Sequence, residues 1–287
     1  GMTLYQTSHM FGFLSSISKE AIKNVQIFKG HIPANFGGRT SSVVELMSRS
    51  GDNSNYRGSI YGNLMSSGIS AEIPIFKKGS VIFNFKKSRP SNQFSKVYES
   101  IEKYMTKDNN FNLITEIGEQ NINQNTEYDL FSSYEDFFNR FSYLINSKHR
   151  ATFTLISSRD SIFEDRGYYG FSNILESDTA YIEEKHSFKN FGQNINFYSQ
   201  WNNKYSTQLS ISKYSYENNY FSIQSSPQSN NISIVGTADK FHSLSDHSIR
   251  FIQQYRNMKN HNLSIGFEET YFSTDFKNKN TENSSLN

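Results

Sequence analysis

The stretch HSLSDHS at 242–248 brings Ser, His and Asp together, the ingredients of a nucleophilic triad. A triad needs nucleophile, base and orienting acid stacked in line, which contiguous residues cannot supply. The stretch is expected to be a polar loop entering a strand. The seven histidines are scattered, and His242 and His247, the nearest pair, make no tight metal-ligand spacing with a carboxylate. There are no cysteines, which excludes disulfides and thiolate metal sites. No glycine cluster precedes a helix to cradle a phosphate, and no convergent carboxylate pair suits glycoside hydrolysis. The residues therefore predict a non-enzymatic protein with no metal and no cofactor. A net charge of +2 gives no reason to expect a nucleic-acid partner.

A second stretch, SRDSIFEDRGYYGF at 158–171, mixes Asp160, Glu164, Asp165 and Arg166 with Tyr168 and Tyr169. It reads either as a solvated loop with aromatics at an apolar edge or as a ligand-contacting loop. Aromatic rings beside charges suit sugars or chelates, so Asp160, Glu164, Arg166, Tyr168 and Tyr169 are candidate ligand contacts.

The elements that would position such residues show in the composition first. Phe 25 and Tyr 18 occur in a chain of 287 residues that is polar overall, with a mean hydropathy of −0.66. No run of 18 apolar residues exists, so a transmembrane helix is not expected. From about residue 56 the pattern alternates with period 2, as in strands with two unlike faces. In DFFNRFSYLI one parity carries Phe137, Asn139, Phe141, Tyr143 and Ile145, and the other Phe138, Arg140, Ser142 and Leu144. After NSKHR, Ala151, Phe153 and Leu155 alternate with Thr152, Thr154 and Ile156. Ile195–Trp201 with Thr207–Ile211, and Ile249–Tyr255 with Leu263–Phe267, repeat the hairpin, as does Arg57–Ile75 with Ser80–Lys86. Short turns fall near 77, 147, 203 and 259, and long polar segments, expected to be loops, run over about 88–133, 159–189 and 217–245.

Short turns at one end and long loops at the other describe an outer-membrane β-barrel of about eight strands. Arg140, Arg250 and Arg256 fall on the parity opposite the aromatic one, away from lipid, whereas Asn139 and Gln253 fall on the apolar parity. FSKVYESIEKYMTK reads differently: Val97, Ile101, Tyr104 and Met105 at helical spacing predict a short amphipathic helix packed on a loop.

Ahead of this pattern, IKNVQIFKGHIPANFGGRTSSVVEL at 22–46 sets two strand-like runs, Val25–Phe28 and Ser42–Leu46, around Gly30, Pro33, Gly37 and Gly38. The glycines predict tight reversal with φ > 0 or close backbone approach, and the proline limits alternative turns. With its flanks, about residues 8–90, the segment resembles the end of the plug domain and the barrel entry of TonB-dependent outer-membrane receptors of the Bacteroidetes type. Ile22, Val25, Lys29, Gly30, Phe36 and Gly37 fall on that family's strand–turn pattern, and Gly38 and Arg39 extend it. Gln26 stands where many members carry a carboxylate.

The resemblance implies an internal piece of such a receptor. Residues 1–54 would be the C-terminal part of the plug, and 55–287 the first strands and loops of a partial transmembrane antiparallel barrel. Complete receptors have about 22 strands, so the gene is expected to continue in both directions, with the opening Gly-Met a join and not a natural start. The implied function is nutrient binding and active uptake in the bacterial outer membrane, in contact with the lipid bilayer. An inner-membrane TonB energy-coupling complex would act through an N-terminal region outside this sequence, and the ligand would be a small molecule, a peptide or a glycan. The plug apical loop at 7–14 adds His9, Phe11 and Phe13 as candidate ligand contacts. The alternatives are a small eight-stranded outer-membrane barrel with a structural or adhesive role, and a soluble β-rich carbohydrate-binding protein.

Overall fold

The computed structural model describes residues 1–9, 12, 14–38, 41–88, 100, 128–169, 179–228, 231–257 and 261–282. Within them the chain is nearly all β, with a short 3-10 turn at Lys19–Ala21, and its sheets are antiparallel. Two short pairs come first. β1 (Ser8–His9) pairs with β2 (Leu14–Ser15), and β3 (Ile22–Lys29) with β4 (Ser42–Ser48). A nine-stranded sheet follows in sequence order: β5 (Arg57–Gly62), β6 (Ser66–Ile75), β7 (Gly79–Ser88), β8 (Tyr128–Leu144) and β9 (His149–Tyr169), then β10 (Thr179–Gln200), β11 (Tyr205–Gln228), β12 (Asn231–Asn257) and β13 (His261–Glu282). Each strand pairs with its sequence neighbour, and β5 and β13 are the edges.

The short turns obey local chemistry. Asn146 Oδ1 accepts the amides of Lys148 and His149 at 2.9 and 3.0 Å, and Asn202 Oδ1 those of Lys204 and Tyr205 at 2.8 and 3.0 Å. An asparagine side chain that caps the backbone two and three residues on closes a turn without a glycine. The β6–β7 turn is made differently, with Phe76 and Lys77 both at positive φ, 48° and 55°.

Two expectations change. Arg57–Ile75 reads as one strand in the sequence but is two, because Asn63 Oδ1 accepts the amides of Met65 and Ser66 at 2.8 and 2.7 Å and reverses the chain there. Nine strands thus stand where about eight were expected. The segments 159–189 and 217–245 are largely strand, not loop: β9 and β10 pair from His149–Ser199 out to Tyr169–Thr179, and β11 and β12 out to Gln228–Asn231. HSLSDHS accordingly lies within β12, and the stretch from Ser158 to Tyr169 within β9. The third segment, 88–133, gives Ser88 to β7 and Tyr128–Ser133 to β8. The predicted helical residues Val97, Ile101, Tyr104 and Met105 lie outside the described residues.

The two faces of the sheet are unlike in the reverse of the usual sense. On the face covered by the N-terminal residues, the buried side chains are mostly polar, among them Ser80, Asn84, Asp136, Thr154, Asp160 and Asp246. Its small apolar core is Ala21, Ile82 and Phe138, with Ile156 against it. On the other face Ile195, Ile211, Ile249 and Phe251 are 55, 49, 43 and 43% exposed. Register makes these exposed residues continuous: Phe153, Ile195, Ile211 and Ile249 form one cross-strand row, and Ala151, Phe197, Leu209 and Phe251 the next.

Along β10 the outward apolar stretch ends in aromatic residues on one side, with Trp201 donating its indole N–H to Thr207 at 2.8 Å and Tyr205 packed at a tilt against Tyr255. On the other side it ends in an ionic row, where Arg159 meets Glu135 at 3.5 Å and Lys189 meets Glu217 at 4.0 Å. Gln193, Lys213 and His247 share an outward row just inside that limit. The twelve steps from Lys189 to Trp201 span about 40 Å along a strand, or about 30 Å in height at a tilt near 40°.

Candidate functional site

The polar face is occupied by the chain's own N-terminal segment, which crosses it diagonally. Tyr5 donates its hydroxyl to Asp246 Oδ2 of β12 at 2.6 Å. Lys86 Nζ of β7 donates to the Ser15 carbonyl at 2.6 Å. Ala21 then packs on Ile82 and Phe138. Farther on, Arg140 of β8 donates to Ser48 Oγ at 2.6 Å, and Arg49 pairs with the buried Glu72 of β6 at 2.6 Å. A face of small polar side chains leaves room for a segment to lie on it and supplies partners for that segment's polar groups.

The densest point of this contact is His9. Its ring is 1% exposed. Nε2 lies 2.9 Å from both oxygens of Asp136, and Nδ1 lies 3.3 Å from Asp160 Oδ2. Lys86 Nζ reaches the same Asp136 at 2.9 Å. The imidazole stacks on Tyr134, centroids 4.1 Å apart, and the Lys86 ammonium stands 5.4 Å from that ring centre. Two carboxylates and two cations, with His9 charged, bring the buried cluster to neutrality, as burial of charge requires. Burial disfavours the charged ring, but the hydrogen bonds it donates to Asp136 and Asp160 and their charges outweigh it, so the His9 imidazolium holds its proton above the ordinary 6.5.

Strand geometry explains how these residues meet. Tyr134, Asp136 and Phe138 share one parity of β8, and Ser158, Asp160, Ile162 and Glu164 one parity of β9, so all are carried to the covered face. Glu164 lies opposite Glu184 of β10, which accepts the Tyr220 hydroxyl. His186 packs on Tyr220 with centroids 4.5 Å apart, and Lys240 stands over the same ring at 5.5 Å.

Of the ligand candidates, the structure brings His9 and Asp160 together and buries Glu164 on the same face. His9 is enclosed and bonded, not displayed. Arg166, Tyr168 and Tyr169 occupy the far end of β9, in register with Ile182, Ala180 and Thr179. Phe11 and Phe13 lie outside the described residues. Asp136, Lys86, Tyr5 and Asp246 are the partners that sequence reasoning missed. The parity that separates Phe138 from Phe137 also assigns Asp136 to the polar face, so a signal for one of the four was present.

The turn residues are placed as follows. Ile22, Val25 and Lys29 lie in β3, Gly30 and Gly38 take positive φ of 76° and 68°, and Gly37 lies between Phe36 and Gly38 in the reversal. Phe36 donates its amide to the Pro33 carbonyl at 2.9 Å and packs its ring on Phe28. Gln26 pairs with Glu45 across the two strands. Arg39 lies outside the described residues.

No protein-family model matches the chain, and no curated protein does. Among solved structures it is similar to the copper transporter OprC, with 9% identity and a TM-score of 0.32. That likeness covers 91% of this chain and 49% of the other, so the chain spans about half the length of that protein. A score so low carries no argument about function. Among the described residues no helix is long and apolar enough to cross a membrane, which leaves strands untouched.

Proposed function

We propose that the chain is a section of an outer-membrane β-barrel uptake protein of the TonB-dependent receptor type. Residues 55–287 would form wall strands with their apolar face in lipid, and residues 1–54 the end of a plug seated against the inner, polar face. The observation that carries this reading is the inverted sheet, with polar groups buried under the N-terminal segment and apolar ones outermost. Water would disfavour the row Phe153–Ile195–Ile211–Ile249, whereas a bilayer is its natural solvent. The aromatic border at Trp201 and Tyr205, and the ionic row on the other side, fit the two limits of an apolar slab. The paired β3 and β4, with left-handed Gly30 and Gly38 between them, support the plug part of the reading. Ligand capture outside, and release inward when an energy-coupling partner disturbs the plug, follow from the family resemblance.

The substitution Ile195→Arg separates the membrane from the aqueous reading by sign. In lipid an outward arginine near mid-height costs about 2–4 kcal/mol, lowering partition into vesicles by roughly thirtyfold or more. In water, a position 55% exposed would accept it within about 0.5 kcal/mol. Vesicle flotation of the two proteins is expected to show loss of the variant from the lipid fraction. A folded, soluble variant beside an equally soluble parent would contradict the proposal.

A further inference from the structure

From the His9 cluster we infer that withdrawing the N-terminal segment from the sheet is coupled to release of a proton from His9, making Asp136 and Asp160 a proton-linked seat for that segment. The groups facing His9 define the coupling. β8 supplies Asp136 and Tyr134, β9 supplies Asp160, and β7 supplies Lys86, which bonds to Asp136 and to the Ser15 carbonyl of the same segment. Both ring nitrogens face carboxylates, so the docked ring carries two N–H donors and a positive charge. Asp160 Oδ1 is buried without a hydrogen-bond partner, so His9 Nδ1 is the principal compensation for that carboxylate among the described contacts. A neutral ring would leave one carboxylate facing a lone pair in a buried place, an arrangement that burial penalises.

The consequence has a definite sign. Docked, His9 holds its proton above the ordinary value of 6.5; withdrawn into water, it returns to that value. The stabilisation from the charged ring is therefore complete below about 6.5 and is lost as pH rises through the docked value. Between the two values, withdrawal sheds one proton from His9, which by itself raises the withdrawn-to-docked ratio by about tenfold per pH unit. The Gly1 ammonium of the same segment, pushed down to about 6 by burial, takes up a proton on withdrawal and opposes this slope unless the amine is acetylated. With that amine blocked, a pull on the segment at mildly alkaline pH would meet less resistance than the same pull in acid.

The chain has no cysteine, so Thr7→Cys with Lys87→Cys gives two unique sites for spin labels, both exposed and outside the cluster. Pulsed electron–electron distance measurements on the full chain with its N-terminal amine acetylated, in detergent at a fixed sub-denaturing urea concentration, read the docked and withdrawn populations from about pH 6 to about pH 9 without the opposing titration of Gly1. The withdrawn share should rise with pH in the parent, by up to about tenfold per unit. In His9→Gln it should be larger and flat, and in His9→Lys, whose charge persists over this range, flat at whatever level its fit allows. A pH-independent parent would overturn the inference, as would an unchanged slope in either variant. The parent's flat or sloped profile is decisive even if one variant fails to fold.

Discussion

At the scale of single residues, the N-terminal segment is held by a few buried polar pairs, each with a distinct expected signature. Tyr5→Phe deletes the hydroxyl that donates to the buried Asp246 carboxylate, a loss of about 1–3 kcal/mol. Its effect should appear as faster amide exchange around Tyr5 with the sheet's protection unchanged; equal protection throughout the segment would show that the pair contributes nothing. Asp160→Asn should bring the His9 titration down toward its ordinary value, because one of the two carboxylates that hold the proton is then neutral. The imidazole proton shifts in a pH titration report this directly. An unmoved His9 titration would assign the shift to Asp136 alone. Part of this site was legible beforehand: His9 and Asp160 were both candidate contacts, but they meet each other across 151 residues of sequence. No spacing rule reaches that far, and the pairing exists only because the segment lies across the sheet.

Among the elements, the turns and the strand ends teach different lessons. Phe76 and Lys77 adopt a conformation that disfavours L side chains, so replacing the pair by Asn-Gly should stabilise the β6–β7 hairpin by about 1 kcal/mol or more. Asn202→Ala removes the cap on two amides of the β10–β11 turn and should cost about 1 kcal/mol. Denaturant midpoints of both variants check these values, and a destabilised Asn-Gly variant would contradict the turn assignment. The turns near 77, 147 and 203 were readable because Asn, Lys and Gly interrupt a strong alternation. The outer ends of β9–β12 were not. There Arg159, Glu183, Lys185 and Lys189 point outward while Asp160, Glu184 and His186 point inward, so both faces are polar. Period 2 survives in the backbone but vanishes from the hydrophobicity, and strand reads as loop. Asn63 hid a reversal for a related reason, since a side-chain cap needs neither glycine nor proline.

For the whole molecule, the central claim is that the exposed apolar face of the sheet meets lipid while the polar face holds the N-terminal segment. The alternation of Phe153 with Thr154 and of Arg140 with Phe141 carried that claim in the sequence, and the register extends it across β8–β12. Arg140 tests it internally: its guanidinium lies on the covered face, bonded to Ser48 and to Thr154 at 3.2 Å, away from the apolar side. The most direct measurement places single spin labels in turn along Ala151–Ile156 and along Ile195–Gln200, with the protein in lipid vesicles, and compares collision with oxygen against collision with a water-soluble nickel chelate. Oxygen accessibility should alternate with period 2, high at Phe153, Leu155, Ile195 and Phe197 and low at Thr152, Thr154 and Asn196. Uniform accessibility, or an alternation in which the apolar positions meet the nickel chelate and not oxygen, would contradict the account.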